Sequence, residues 1–452
     1  MNHPQVIALF VTFLFLGAAP VTAATSDRIS NTKESSHLSN EELLTKLQRQ
    51  TIDYFWTGAE PVSGLARERL HMDGVYPQND QDVVTSGGSG FGLMAVLVGV
   101  ERGFIPRSKA LAQFEKNLTF LETADRFHGV WPHWWIGPTG KTKPFSKKDD
   151  GGDLVETAFL VQGLLTVRQY FHEGTPRERA IAQRCDQLWK EVDWTWYTRG
   201  NQDALYWHWS PNFGWDMNFR IGGYNECLIV YLLAAASPTH GTPASVYHKG
   251  WARGGDIRSD RKCYNTSVIL DHYEHDEACV GPLFWAHYSY LGLNPKGLSD
   301  TYADYWQLNQ NHALIHYAHC VDNPNEYKGY GPDLWGLTSS YSMRGYAGHR
   351  PDKDLGVISP TAALASFPYT PTQSMAFLRS LYEKHSKFIG KYGPYDAFSL
   401  EHEWHLKRYL AIDQGPIPVM IENHRSGLIW KLFMSAPEIQ SGLKKLGFES
   451  KQ

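Results

Sequence analysis

The chain is 452 residues long, 42% hydrophobic and 13% aromatic, which is enough apolar material for a large core. Its net charge of −4 comes from 43 basic and 47 acidic residues mixed along the chain, so no basic stripe marks it as a nucleic-acid binder. The 16 tryptophans are either core filler or stacking platforms for a ligand with flat apolar faces. In chain order, Val6–Gly17 is an apolar run followed by the small residues around Ala23 and Ala24. Spanning a bilayer takes about 20 apolar residues, so residues 1–24 are expected to be a cleavable signal peptide. The mature chain is then expected in the periplasm or outside the cell, with no membrane anchor after cleavage. Residues 25–38 read as a polar, flexible lead-in, and residues 39–452 as one domain.

Ser39 followed by Glu41 and Glu42 predicts a helix N-cap with acids in the first turn, leading an amphipathic run to Trp56. Further helices are expected at 89–102, 108–124, 154–172, 177–193, 223–236, 266–273, 278–291, 301–318, 360–366, 372–386 and 417–434. Their apolar residues recur at three- and four-residue spacing, as in Leu154, Ala158, Val161 and Leu165. Period-two alternation is scarce, so few strands are expected. The pattern is all-α. Helices separated by long Gly/Pro/aromatic loops suggest an (α/α) barrel with its functional groups at one rim. Gly87, Gly88, Gly90 and Gly92 follow no predicted strand. They read as close packing at a helix entry rather than a nucleotide loop.

Five cysteines include no CxxC pair, which argues against zinc. Cys263 and Cys279 are candidates for a disulfide, and Cys227 reads as a buried thiol inside an apolar helix.

Four acidic clusters carry the candidate chemistry. In the first, Asp149 and Asp150 precede Asp153 and Glu156, which share one helix face. Acids at a helix start also cap orphan amides and complement the dipole. In the second, Glu226 sits where an aromatic loop containing Trp207, His208, Trp209, Phe213 and Trp215 gives way to the apolar run Cys227–Ala236. A carboxyl placed against apolar surface has a raised pKa and suits a general acid. In the third, Asp413 lies in a turn before Pro416 and Pro418 and is a candidate base. Glu422 follows it, close in sequence to His424 and Arg425. In the fourth, Asp271–Glu277 interleaves acids with His272 and His275 at a spacing that matches no closed metal set. Cleavage of a glycosidic bond requires two carboxyl groups, one giving a proton to the leaving oxygen and one activating water or attacking carbon.

The stretches GFGLMAVLVGVERGFI (90–105), GGDLVETAFLVQGLL (151–165), GWDMNFRIGGYNECLIVYLLAAASPTH (214–240), and GPYDAFS with YLAIDQGPIPVMIENHRSGLIWKLFM (393–434) resemble the bacterial glycoamylase-like domain. In particular they resemble the endo-β-1,2-glucanases of glycoside hydrolase family 144. The resemblance covers residues 41–435. It implies an (α/α)6 barrel and anomer-inverting, endo-acting hydrolysis of linear β-1,2-glucan to sophorose and short oligosaccharides, without metal or other cofactor. Carried over by motif, the essential acids are Asp149 or Asp150, Asp153, Glu156, Glu226 and Asp413. Glu226 is then the general acid and Asp413 the general base, with Asp153 its rival. His133, Trp134, Asp150, Trp215, Tyr224, Asn225 and Glu422 are the expected substrate contacts. The substrate is the expected partner, with no nucleic acid, and the protein is expected to act as a monomer. The alternatives are an exo-acting glucobiosidase or another β-glycan hydrolase on the same barrel, a polysaccharide lyase using Tyr341, Arg344 and His349, or a non-catalytic glycan-binding protein.

Overall fold

A computed structural model describes residues 38–272 and 279–450. The expected signal peptide, nearly all of the lead-in, and most of the Asp271–Glu277 cluster lie outside the described residues. Among those described, no helix is long and apolar enough to cross a membrane.

Helix α1 (Asn40–Trp56) starts as expected. The Ser39 side chain accepts from the Glu42 amide while the Glu42 carboxylate accepts from the Ser39 amide, a reciprocal cap. Helices α2 (Ser86–Glu101) and α4 (Leu154–Phe171) are apolar on all sides and almost wholly buried, as helices in a core must be. Between them in sequence, α3 (Arg107–Thr123) buries only one stripe. Helix α5 (Pro176–Lys190) does the same behind a Thr175–Glu178 capping box, and α6 (Leu228–Ala236) is again fully buried. Helices α7 (Tyr305–Asp322), α8 (Pro360–Leu364), α9 (Pro371–Lys384), α10 (Ala411–Gln414), α11 (Pro416–Arg425), α12 (Leu428–Met434) and α13 (Pro437–Lys445) complete the helix-rich body.

The glycines of α2 do what their spacing suggests. A Cβ on Gly90 would collide with the backbone of Phe159 and Leu160, and one on Gly163 with the backbone of Gly90. The axes of α2 and α4 therefore meet backbone to backbone.

Strands are short and antiparallel, and several feed helices directly. Strand β1 (Arg69–His71) pairs with β9 (Arg408–Leu410), which runs into α10. Strand β2 (Val83–Thr85) pairs with β3 (Trp134–Ile136), itself paired with β4 (Lys141–Lys143), and runs into α2. Strand β5 (Gly152–Asp153) pairs with β6 (His208–Trp209) and runs into α4. Strands β7 (Ser339–Ser342) and β8 (Gly345–Gly348) form a hairpin. Segments this short cannot display a period-two pattern, which is why the sequence does not announce them.

Three expected helices are corrected. Residues 266–272 form no helix; Thr266–Ser267 pairs with Lys262–Cys263, and Leu270 bridges to Arg258. Beyond Gly281–Pro282, residues 283–286 make only a 3-10 turn. The 417–434 run is two helices, broken where Gly427 adopts φ 70°. Helix α13 was not anticipated. Cys263 and Cys279 do form a disulfide, and Cys185, Cys227 and Cys320 are free and buried.

The turn at Gly281 is held by buried histidines. The Gly281 amide donates to His272 Nδ1 at 2.8 Å, and its carbonyl accepts from His312 Nε2 at 2.8 Å and His316 Nε2 at 2.9 Å. Burial drives all three below the ordinary histidine range, His312 to about 4.

Two outcomes are expected. Gly90→Ala should lower the melting temperature, costing about 1–3 kcal/mol as overpacking. Because the three histidines are depressed in the folded state, unfolding takes up protons below their unfolded pKa of about 6.5. Stability should therefore be intact above that pH and fall steadily as pH drops toward 4, as read by thermal melts across a pH series; His312→Gln should flatten that slope.

Candidate active site

The strand-to-helix junctions deliver the carboxyl groups. Asp153, fully buried, is the N-cap of α4, and its Oδ1 accepts from the amides of Val155 and Glu156, each at 3.0 Å. Its Oδ2 takes His133 Nδ1 at 2.9 Å. Burial would raise the Asp153 carboxyl, but His208, the His133 hydrogen bond and the Glu156 amide hold it below the usual range. With both oxygens engaged, Asp153 is fitted to orient His133 rather than to receive a proton from water.

Glu156, in the first turn of α4, points toward the start of α2. Its Oε2 accepts from the Gly87 amide at 2.9 Å, with the Thr85 hydroxyl at 3.5 Å. A Cβ at position 87 would overlap that carboxylate, so glycine is required there for the contact. Burial raises the Glu156 carboxyl, opposed by His133 and reinforced by Asp153. Burial also works against charge on His133, yet Glu156, Asp153 and Asp149 outweigh it and raise His133 to about 10. Asp149 lies 3.3 Å from His208 Nδ1. The imidazoles of His133 and His208 thus stand between Asp149, Asp153 and Glu156.

Glu226 sits at the junction where the aromatic loop becomes α6, as read from the sequence. Burial pushes its carboxyl up to about 7, and the negative charges of Glu156 and Asp153 push in the same direction. Its backbone is pinned from behind, because the Ser289 hydroxyl donates to the Glu226 carbonyl and accepts from the Ile229 amide.

Asp413 belongs to α10, not to a turn as expected, and is buried. The Cβ of Ala411, two residues before Asp413, abuts Gly88 at the start of α2, next to the Gly87 amide that meets Glu156. Tyr288 lies within electrostatic reach of Asp413, Glu156 and Glu226, which ties the two halves of the cluster together. Facing Asp413 is Asp396, a buried acid that the sequence reading passed over. Its only signal was its place in the GPYDAFS stretch. Burial and Asp396 together raise the Asp413 carboxyl well above the carboxylate range.

Other expected contacts divide. Trp134 packs on Phe145, which also stacks on His133 at 4.4 Å. Trp215 lies against Trp196, Tyr197 and Tyr206. Phe145, Trp196 and Phe219 each leave 38–39% of their surface open, enough to present a ring face to a sugar. Asp150 accepts from Asn212 Nδ2 at 2.7 Å. By contrast, Tyr224 is buried, donating to Asn309 Oδ1 at 2.9 Å. Asn225 caps the start of α6 by accepting from the Cys227 amide at 2.9 Å. Glu422 is locked in a buried ion pair with Arg102 at 2.7 Å, supported by Gln48 and Ser426. All three therefore have partners within the scaffold. Of the lyase alternative's residues, His349 is fully buried and offers no base to a substrate.

Ligand atoms of His133, Asp149 and Asp153 lie within 4.8 Å of one another. A cation would fit that spacing. His133, raised to about 10, already places positive charge among these acids.

Residues 218–437 match the Glycoamylase family, described as "Putative glucoamylase". The chain is 60% identical to the endo-β-1,2-glucanase of Chitinophaga pinensis, solved with sophorotriose and glucose. That superposition covers 91% of this chain and 99% of the other at a TM-score of 0.90. It is 43% identical over 426 residues to the exo β-1,2-glucooligosaccharide sophorohydrolase (non-reducing end) of Parabacteroides distasonis. That match takes in 90% of this chain but spans 58% of the relative's length. The endo-β-1,2-glucanase of Talaromyces funiculosus, 12% identical, shares the fold over 92% of both chains at a TM-score of 0.65. The chain belongs to the glycoamylase-like family and stands with the β-1,2-glucanases of glycoside hydrolase family 144.

Proposed function

We propose that this protein hydrolyses linear β-1,2-glucan by an inverting general acid/base mechanism, acting within the chain to release sophorose and short oligosaccharides. The observation that carries this reading is the division of roles among buried carboxyls. Glu226, raised to about 7, holds a proton in a large share of molecules up to neutral pH, where an ordinary carboxyl would hold almost none, and can give it to the glycosidic oxygen. Asp413 is assigned to the water that attacks the anomeric carbon. Asp149, Asp153, Glu156 and His133 orient water and sugar hydroxyls. The open rings of Phe145, Trp196 and Phe219 are the assigned sugar platforms. No metal or other cofactor has a part in this scheme. The scaffold is assigned as an (α/α)6 toroid acting as a monomer, exported through the N-terminal apolar segment.

Endo action is supported by the relative at 60% identity, matched over nearly its full length. A specific observation favours the second reading, exo release of disaccharide from the non-reducing end: the 43%-identical relative carries that name. Early products on linear β-1,2-glucan decide between them. A spread of lengths supports endo action, and disaccharide alone from the first time point overturns it. The initial product should carry the α-anomeric reducing end, read by proton NMR before mutarotation.

Glu226→Gln should cut turnover by about 10²–10⁴-fold, the usual contribution of general acid catalysis. Oligosaccharide binding should survive the substitution. Because Glu226 must be protonated to act and sits near 7, kcat/KM should decline as pH rises through neutrality. Unchanged turnover in Glu226→Gln would remove it from the acid role.

A further inference from the structure

We propose that Asp396 and Asp413 work as one unit, a carboxyl pair holding a single proton. In it Asp396 is a positioning residue that receives that proton when Asp413 takes one from the attacking water. This rests on the reading of Asp413 as base.

Both groups are buried, at 5% and 3% exposure, and they line one small cavity together, where each raises or lowers the other's proton affinity. Neither Asp413 oxygen, nor Asp396 Oδ1, accepts from any N–H group among the described residues. Two buried carboxylates side by side with so few donors cannot both stay ionised, so one proton must lie between them. The pair is not symmetric. Asp396 Oδ2 accepts from the Tyr341 backbone amide at 2.8 Å, while Asp413 is faced by no backbone amide and only by the Tyr288 hydroxyl. The charge therefore resides on Asp396 and the proton on Asp413.

The surrounding groups keep that arrangement. From β1 come Arg69 and, just before it, Glu68. Arg69 favours charge on Asp396, but it is also paired to Glu68 and lies 3.1 Å from Asp80, while Glu68 opposes charge on both aspartates. From the β7–β8 hairpin come Tyr341 and Tyr346, and from β9 comes Arg408, whose guanidinium lies over the Tyr341 ring at 5.7 Å. Tyr288 flanks Asp413 from the other side. No histidine or lysine forms an ion pair with Asp413 among the described residues.

The step balances as follows. A water O–H bond breaks and its proton goes to the free oxygen of Asp413, while the proton Asp413 already held crosses to Asp396 Oδ1. The hydroxide oxygen bonds the anomeric carbon. The glycosidic carbon–oxygen bond breaks with its electron pair on the leaving oxygen, which takes the proton from Glu226. Glu226 ends ionised and the pair ends with two protons; proton exchange with solvent after product release restores both.

The test is Asp396→Asn in the full chain, with a pH profile of kcat/KM on a β-1,2-glucan oligosaccharide. The amide keeps the shape, cannot accept the proton, and can donate to Asp413. The acid limb should move down by at least about one pH unit, kcat should fall at least about tenfold, and KM should stay within about twofold. An acid limb that does not move overturns the proposal whatever the loss of rate, since a merely structural role lowers activity at every pH alike. Infrared titration of the protein without substrate gives a second reading that needs no turnover. A protonated-carboxyl band persisting above the titration of Glu226 should be present in the wild type and lost in both Asp396→Asn and Asp413→Asn. If the band persists in either variant, the pair is refuted. If the wild type leaves β-1,2-glucan uncut while the band behaves as stated, the functional reading fails and the one-proton pair stands.

Discussion

The backbone contact between α2 and α4 is the constraint on which the rest depends. Gly90 and Gly163 let two helices approach as no pair with side chains at those positions could. Burial on every side then follows, since neither helix has a solvent face left. The same approach brings the first turn of α2 to the first turn of α4. The Gly87 amide meets Glu156 there, and Gly88 leaves room for Ala411, two residues before Asp413. One packing decision thus sets the positions of two catalytic candidates on different helices.

Burying several acids in one molecule is expensive unless each has its own compensation. The protein uses different compensation for different acids, and this separates their chemistry. Asp153 has two backbone amides and an imidazole, and stays ionised. Glu226 has burial and neighbouring negative charge, and so holds a proton. Glu422 is nearly as buried as these, yet burial is outweighed by Arg102, Ser426 and Gln48, which keep it charged. A dedicated arginine and the Gln48 amide make it a strut between α1, α2 and α11.

Much of this could be read from residue order, and the failures have physical causes. The Ser39 cap, the start of α4, and the placement of Glu226 before α6 depend on neighbours within a few residues, so local spacing reveals them. The glycine run was readable as close packing because glycine has few other uses inside an apolar helix. The scaffold partners of Glu422 and Asn225 were not legible, because an acid or amide in a motif looks the same whether or not it meets a distant Arg102 or the Cys227 amide. The lost helix at 266–272 had helical spacing. A disulfide, a short hairpin and the bridge from Leu270 to Arg258 claimed those residues instead.

By itself, the sequence determined the helix-rich class, the family, the aromatic loop ahead of Glu226 and a short list of acids, because each is written in adjacent residues. Only the tertiary structure decided which acids share a site and which are ionised. It gave Tyr224, Asn225 and Glu422 partners within the scaffold and brought Asp396, 17 positions away in the chain, beside Asp413. The reason is that a carboxyl's proton affinity is set by its burial and by the donors and charges around it. For Asp413 those neighbours arrive from β1, the β7–β8 hairpin and the segment bearing Tyr288, all distant in sequence, as well as from adjoining β9.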